Sequence, residues 1–133
     1  DTKMLLAMYD KMVTINEADV VYNQAQRQSR ISFYMTQLGE EASGIGTAAA
    51  LKDQDMIFPQ YREAGTFLWR GFSIAQMGHQ LTGNQFDLGK GKQMPIHYGS
   101  KDLNICTVSS PLCTQVPQAS GAGYNYRIQG KDQ

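Results

Sequence analysis

Apolar positions in the first thirty residues recur at helical spacing. Leu5, Met8, Met12, Ile15 and Tyr22 follow one another at steps of three, four or seven and share one face of a single long helix over residues 3–29. Asp19 interrupts that stripe. No Gly occurs before Gly39 and no Pro before Pro59, so nothing in this stretch breaks a helix. The run Ile31-Ser32-Phe33-Tyr34-Met35-Thr36 changes character and is β-prone. After Gly39, the pair Glu40-Glu41 sits where carboxylates favour a helix start, and Ala48 to Leu51 continue that helix. Met56-Ile57-Phe58 predicts a short buried strand closed by Pro59. Helices follow over 61–70 and 72–81, and a Gly-rich loop fills 83–102. Leu103 to Val108 predicts a second strand. Ser110 and Pro111 then match an N-cap and first helical position, with a kink at Pro117 inside the helix that follows. Strands alternating with helices predict an α/β layer structure with parallel strands.

Composition narrows the function. The 133 residues carry 12 Lys+Arg against 12 Asp+Glu, which excludes a strongly basic nucleic-acid binder. A hydrophobic content of 41% with 18% charged residues is globular, and the length suits one domain. No apolar run approaches the roughly 18 residues that span a membrane. The two cysteines, Cys106 and Cys113, are no disulfide framework and read as buried, reduced thiols. The chain opens at Asp1 and stops in a polar stretch at Gln133, and both ends read as cut.

Three segments carry candidate chemistry. Lys90 and Lys92 stand among glycines, but Gly83 to Gly89 encloses five residues and Lys90 precedes Gly91, which excludes a P-loop and leaves a flexible basic loop. Gln60-Tyr61-Arg62-Glu63 follows a strand and opens a helix; the Arg fork matches phosphate oxygens, although taken alone an ordinary ion pair with an acid is the better reading of Arg62. Ser109 to Gln115 gathers hydroxyls, an amide and loop carbonyls where a strand meets a helix. That donor set suits a hard cation, and helix capping is the plainer account. No Ser-His-Asp pattern is present. His97, in the turn Pro95-Ile96-His97-Tyr98-Gly99, is placed where it could face a ligand, but a lone loop His more often is structural or merely exposed. Glu40 and Glu41 point apart on a helix and read as capping residues.

Taken in order, these segments resemble the α subunits of the E1 component of branched-chain 2-oxo acid dehydrogenases. The resemblance rests on Arg30 to Thr36, Gly39-Glu40-Glu41, Gln60 to Gly65, Asp87 to Gly91, Gln93-Met94-Pro95 with His97-Tyr98-Gly99, and Ser109 to Leu112 with Thr114-Gln115. It runs from about residue 4 to residue 127. Pyruvate dehydrogenase α subunits share the Tyr-Arg pair and the Gly-Lys-Gly loop but lack the Pro-x-His-Tyr-Gly turn and the Ser-Ser-Pro-Leu run.

The resemblance implies the amino-terminal part of a thiamin diphosphate-binding fold, a parallel sheet flanked by helices. Residues 1–133 would be one incomplete domain, with 1–29 as its lead-in helix. It implies oxidative decarboxylation of branched-chain 2-oxo acids and acyl transfer to the lipoyl group of an E2 core, in an α2β2 assembly with an E1 β subunit. Tyr61 and Arg62 would hold the cofactor diphosphate. Ser110 and Leu112 would line its aminopyrimidine, partly through backbone atoms. Ser109, Pro111, Thr114 and Gln115 would hold a structural K+. The family's acidic Gly-rich segment, which with a later Asn holds Mg2+, has no counterpart here, nor do its later His and phosphorylation loop. Residues Tyr124 to Arg127 and Gln129 to Gln133 read less like the family. The resemblance places a eukaryotic member in the mitochondrial matrix and a bacterial one in the cytoplasm. Two alternatives stay open: a pyruvate-specific relative, and a non-catalytic assembly segment.

Overall fold

The structure, a computed structural model, describes residues 1–131; the polar end through Asp132 and Gln133 lies outside the described residues. Five helices follow one another: α1 (Thr2–Arg27), α2 (Glu41–Ala49), α3 (Ala64–Trp69), α4 (Ile74–Thr82) and α5 (Gln115–Ile128). Helix α1 matches the expected lead-in helix and is capped by the Asp1 carboxylate, which accepts from the Lys3 N–H. Ser73 caps α4 in a reciprocal capping box with Gln76, and Gly83 ends it in the left-handed region.

The core lies where α1, α2 and α3 pack on one another, and the irregular segments fold over it. Ile15 of α1, Ile45 of α2 and Phe67 of α3 are fully buried. Phe67, Phe72 and Tyr98 form an aromatic triad with ring centroids 5.5–5.7 Å apart. Met8, Met12 and Tyr22 lean on this core as their spacing predicts, whereas Leu5 is 64% exposed because the first turns of α1 overhang it. A second apolar stripe, Leu6, Tyr9, Val13 and Val20, faces outward.

Asp19, the residue that breaks the apolar stripe, is buried and works as an internal tie. Its carboxylate accepts from the Tyr34 hydroxyl at 2.6 Å and from the Gln37 N–H at 2.8 Å. Those bonds fix residues 31–37, which are irregular rather than a strand: Ile31 and Tyr34 turn into the core, and a side chain, not a neighbouring strand, takes up the Gln37 N–H. Burial outweighs the hydrogen bonds and raises the Asp19 carboxyl above its usual value of 3.8.

The parallel sheet is reduced, among the described residues, to isolated bridges. Ile57 pairs in parallel with Ile105, and Ile105 pairs in antiparallel with Ser100. Four backbone hydrogen bonds of 2.9–3.0 Å close these bridges. The order expected from the sequence is kept, since segment 56–58 does lie beside 103–108. Pro59 and the turn at Lys101–Asn104 leave too few residues in register for a ladder. The Arg70 guanidinium, donating to the carbonyls of Lys52, Asp53, Asp55 and Leu103, holds the approach to both segments.

The last helix also differs from expectation. It starts at Gln115, not at Ser110–Pro111, because Cys113 adopts φ +64 and interrupts the helical path. Pro117 therefore falls in the first turn, where its missing N–H leaves no bond unmade, and no kink is needed. Helix α5 buries none of its residues. The 83–102 loop is tied rather than slack: the Asp87 carboxylate accepts from the Gly89 and Gly91 N–H groups at 2.9 and 2.7 Å.

Two outcomes follow. A Cβ at Gly99 would stand 2.4 Å from Thr107 Oγ1 and 2.8 Å from its Cα. Gly99→Ala is therefore expected to cost about 1–3 kcal/mol in urea unfolding. For Asp19, the folded carboxyl binds its proton more tightly than the unfolded one. Its contribution to stability is complete below pH 3.8 and declines as pH rises toward the raised folded value. Asp19→Asn should flatten that decline and keep both bonds, since the amide can accept from Gln37 and donate to Tyr34. Asp19→Leu should cost about 1–3 kcal/mol at low pH, where the Asp19 contribution is complete, and less as pH rises.

Candidate functional site

The first candidate segment precedes α3 as a turn. Gln60 Oε1 accepts from the Arg62 N–H and Glu63 Oε2 accepts from the Gln60 N–H, both at 2.9 Å. Tyr61 and Arg62 therefore lie before the helix, which begins at Ala64, rather than within its first turn. The Arg62 guanidinium sits 6.0 Å from the Tyr61 ring centroid and donates to the Thr36 carbonyl at 3.4 Å. Among the described residues its contacts are a ring and a carbonyl rather than the carboxylate partner of an ion pair. It borders a cavity of about 300 Å³ whose walls include Glu40, Thr47, Ile57 and Thr66. A half-buried guanidinium with unspent donors beside a cavity can take an anion.

The second segment, residues 109–115, is a turn pinned at both ends. Gln115 Nε2 donates to the Ser109 carbonyl at 3.0 Å and to the Pro59 carbonyl at 3.3 Å. Thr114 Oγ1 donates to the Pro111 carbonyl at 2.9 Å. Of the four residues expected to hold a cation, these bonds pair Gln115 with Ser109 and Thr114 with Pro111, two separate contacts within one turn. Since Pro59 stands two residues before Tyr61, the Gln115 amide also joins this turn to the first segment. Ser110 and Leu112 are both exposed, Leu112 at 74%, although the Ser110 hydroxyl itself turns inward to His97. Neither the Ser110 carbonyl nor the Leu112 N–H has a hydrogen-bond partner among the described residues, so an acceptor and a donor are left open two positions apart on an exposed turn.

His97 is the residue that the sequence undervalues. It is 6% exposed, neither free in a loop nor remote from chemistry. Its Nδ1 lies 3.0 Å from the Pro95 carbonyl and its Nε2 contacts Ser110 Oγ. The signal was its place in a turn dense with Pro and Gly, where Ile96 takes φ +63 to turn the ring inward. Glu41 stands in the first turn of α2 but caps no helical N–H: its carboxylate accepts from Asn16 Nδ2 and from the Gly39 N–H, and no side chain caps that helix, which corrects the capping expectation. The Asn16 bond, placed first among its surroundings, lowers its carboxyl. The thiols are free, but only Cys106 is partly covered; Cys113 is exposed in the middle of the pinned turn, which corrects the expectation of two buried thiols. No group of three or more His, Cys, Asp or Glu is placed to hold a metal among the described residues. No helix among the described residues is long and apolar enough to cross a membrane.

The chain is similar to known proteins along nearly its whole length. The 2-oxoisovalerate dehydrogenase subunit alpha 1, mitochondrial, of Arabidopsis thaliana is 52% identical over 130 residues, covering 98% of this chain and 28% of the relative. The subunit alpha of Dictyostelium discoideum is 53% identical over 127 residues, covering 96% and 29%. That of Caenorhabditis elegans is 51% identical over 129 residues, covering 97% and 30%. The chain therefore spans less than a third of the length of these relatives. The family described as Dehydrogenase E1 component matches residues 9–133, and the chain belongs to that family.

Proposed function

We propose that the chain forms the amino-terminal part of an E1 α subunit acting in the oxidative decarboxylation of branched-chain 2-oxo acids. The observation that supports this reading is the pair of hydrogen bonds that the Gln115 amide donates to the Ser109 and Pro59 carbonyls, which tie the two candidate segments to each other. The relatives' name, 2-oxoisovalerate dehydrogenase, supports the substrate class. A mitochondrial matrix location and a parallel thiamin diphosphate-binding sheet, of which the Ile57–Ile105 bridge is one pairing, belong to the same proposal.

The donors fit the proposed groups. Arg62 and Tyr61 offer a guanidinium and a phenol to a diphosphate. The open Ser110 carbonyl and Leu112 N–H offer one acceptor and one donor, the polarity that an aminopyrimidine edge requires. Ser109, Pro111, Thr114 and Gln115 offer uncharged oxygens, which suit K+ better than a divalent ion. Bound there, thiamin diphosphate would supply the electron sink for loss of CO2. Arg62 would anchor its charged end, and the 109–115 turn would orient the ring. Mg2+ is assigned to no residue of this chain. An E1 β subunit and a lipoyl-bearing E2 core complete the reading as partners.

Three measurements on the assembled α2β2 enzyme test it. Arg62→Ala should weaken thiamin diphosphate binding by about 1.5–3 kcal/mol in calorimetry, the range for a charge-assisted contact; unchanged affinity refutes the anchor. Replacing K+ by a large organic cation should lower the melting temperature through lost ligation. An unchanged transition would leave the 109–115 turn as helix-approach geometry alone. Turnover should be faster on 2-oxoisovalerate than on pyruvate, and the reverse order would favour the pyruvate-specific reading.

A further inference from the structure

We propose that His97 is a positioning residue, locking the Ser110 side chain so that the Ser110 carbonyl and the Leu112 N–H stay turned toward the cofactor ring. This deepens the thiamin diphosphate reading above and rests on it. The direction of the lock follows from the partners. The Pro95 carbonyl only accepts, so Nδ1, 3.0 Å away, carries the proton. In the neutral ring Nε2 is then an acceptor, and the contacting Ser110 hydroxyl must donate to it. With its hydroxyl spent inward, Ser110 cannot rotate its side chain toward a ligand, and what it leaves open is backbone.

The ring itself has little freedom. His97 is 6% exposed, flanked by Ile96 and Tyr98 at 2% each. The Val108 N–H donates to the Tyr98 carbonyl at 2.9 Å, and Gly99 is packed against Thr107. The 94–99 turn and the strand-like segment leading to Ser109 thus move as one piece. Gln115 grips the 109–115 turn from one side and His97 from the other, with Ser110, Pro111 and Leu112 between them. Ser110 Oγ has one other neighbour, Met94 Sδ at 4.0 Å, a weak acceptor that does not replace the imidazole.

The test uses the assembled α2β2 enzyme and two probes, thiamin diphosphate and inorganic diphosphate. His97→Leu is expected to weaken thiamin diphosphate about tenfold, the order of one well-made hydrogen bond lost from a binding turn. Inorganic diphosphate, held by Tyr61 and Arg62, should bind unchanged. His97→Gln, whose Oε1 can take the place of Nε2 as acceptor, should restore most of the affinity. Ser110→Ala should match His97→Leu, and the double variant should lose no more than either single one. Equal weakening of both probes, additive losses, or no rescue by Gln would overturn the proposal in favour of general packing. Should the unsubstituted assembly bind neither probe, the thiamin diphosphate reading falls, and this one with it. Binding that is normal in the parent and unmoved by His97→Leu overturns the positioning role alone.

Discussion

The buried Asp19 carboxylate is the contact from which the placement of the site descends. It sits inside an apolar face of α1, yet it is satisfied twice, by Tyr34 and by the Gln37 N–H. The second bond matters more for the site. Gln37, once fixed, passes its own side-chain oxygen to the Gly65 N–H at 3.0 Å and so sets the start of α3. Its neighbour Thr36 offers the carbonyl on which Arg62 rests. Gly65 accommodates this approach because a Cβ there would already stand 3.1 Å from Ile45 Cγ1. A side chain on the first helix therefore aims an arginine more than forty residues away, by way of two short bonds and a glycine.

A second chain of contacts fixes the other half of the site. Ile105 exchanges both of its backbone bonds with Ser100, while its neighbours Asn104 and Cys106 bond Ile57 in the segment that ends at Pro59. Arg70 gathers four carbonyls behind it. From there Gly99 and Thr107 in close contact, Tyr98 bonded to Val108, and His97 against Ser110 lead outward to the turn. Few of these are side-chain pairs that a periodicity could reveal. Most join a side chain or an N–H to a loop carbonyl, and they stand where a longer sheet would otherwise hold the segments in register.

That difference explains what could be read in advance. The long first helix, the capped α4 and the adjacency of segments 56–58 and 103–108 follow from local signals: spacing of apolar residues, a Ser with a Gln three later, short apolar runs. The site segments themselves were recognisable as ordered motifs. What escaped was set by single residues acting at a distance or against their usual conformation. Asp19 marks a break in an apolar pattern, and nothing near it in sequence names Tyr34 or Gln37 as partners. Cys113, at φ +64, moved the start of the last helix past a Ser-Pro pair that reads well as a cap. His97 looked like an isolated loop residue because its partner, Ser110, lies thirteen positions on.

Cys113 has a consequence of another kind. Its thiol is exposed, unpaired and held at the centre of the turn between Thr114 and Leu112, while the only other cysteine, Cys106, is partly covered. The molecule thereby carries a native attachment point for a fluorophore or spin label within the segment whose rigidity is in question. Motion of that turn can be followed without engineering a residue into it, at the residue whose φ of +64 sets where the last helix begins.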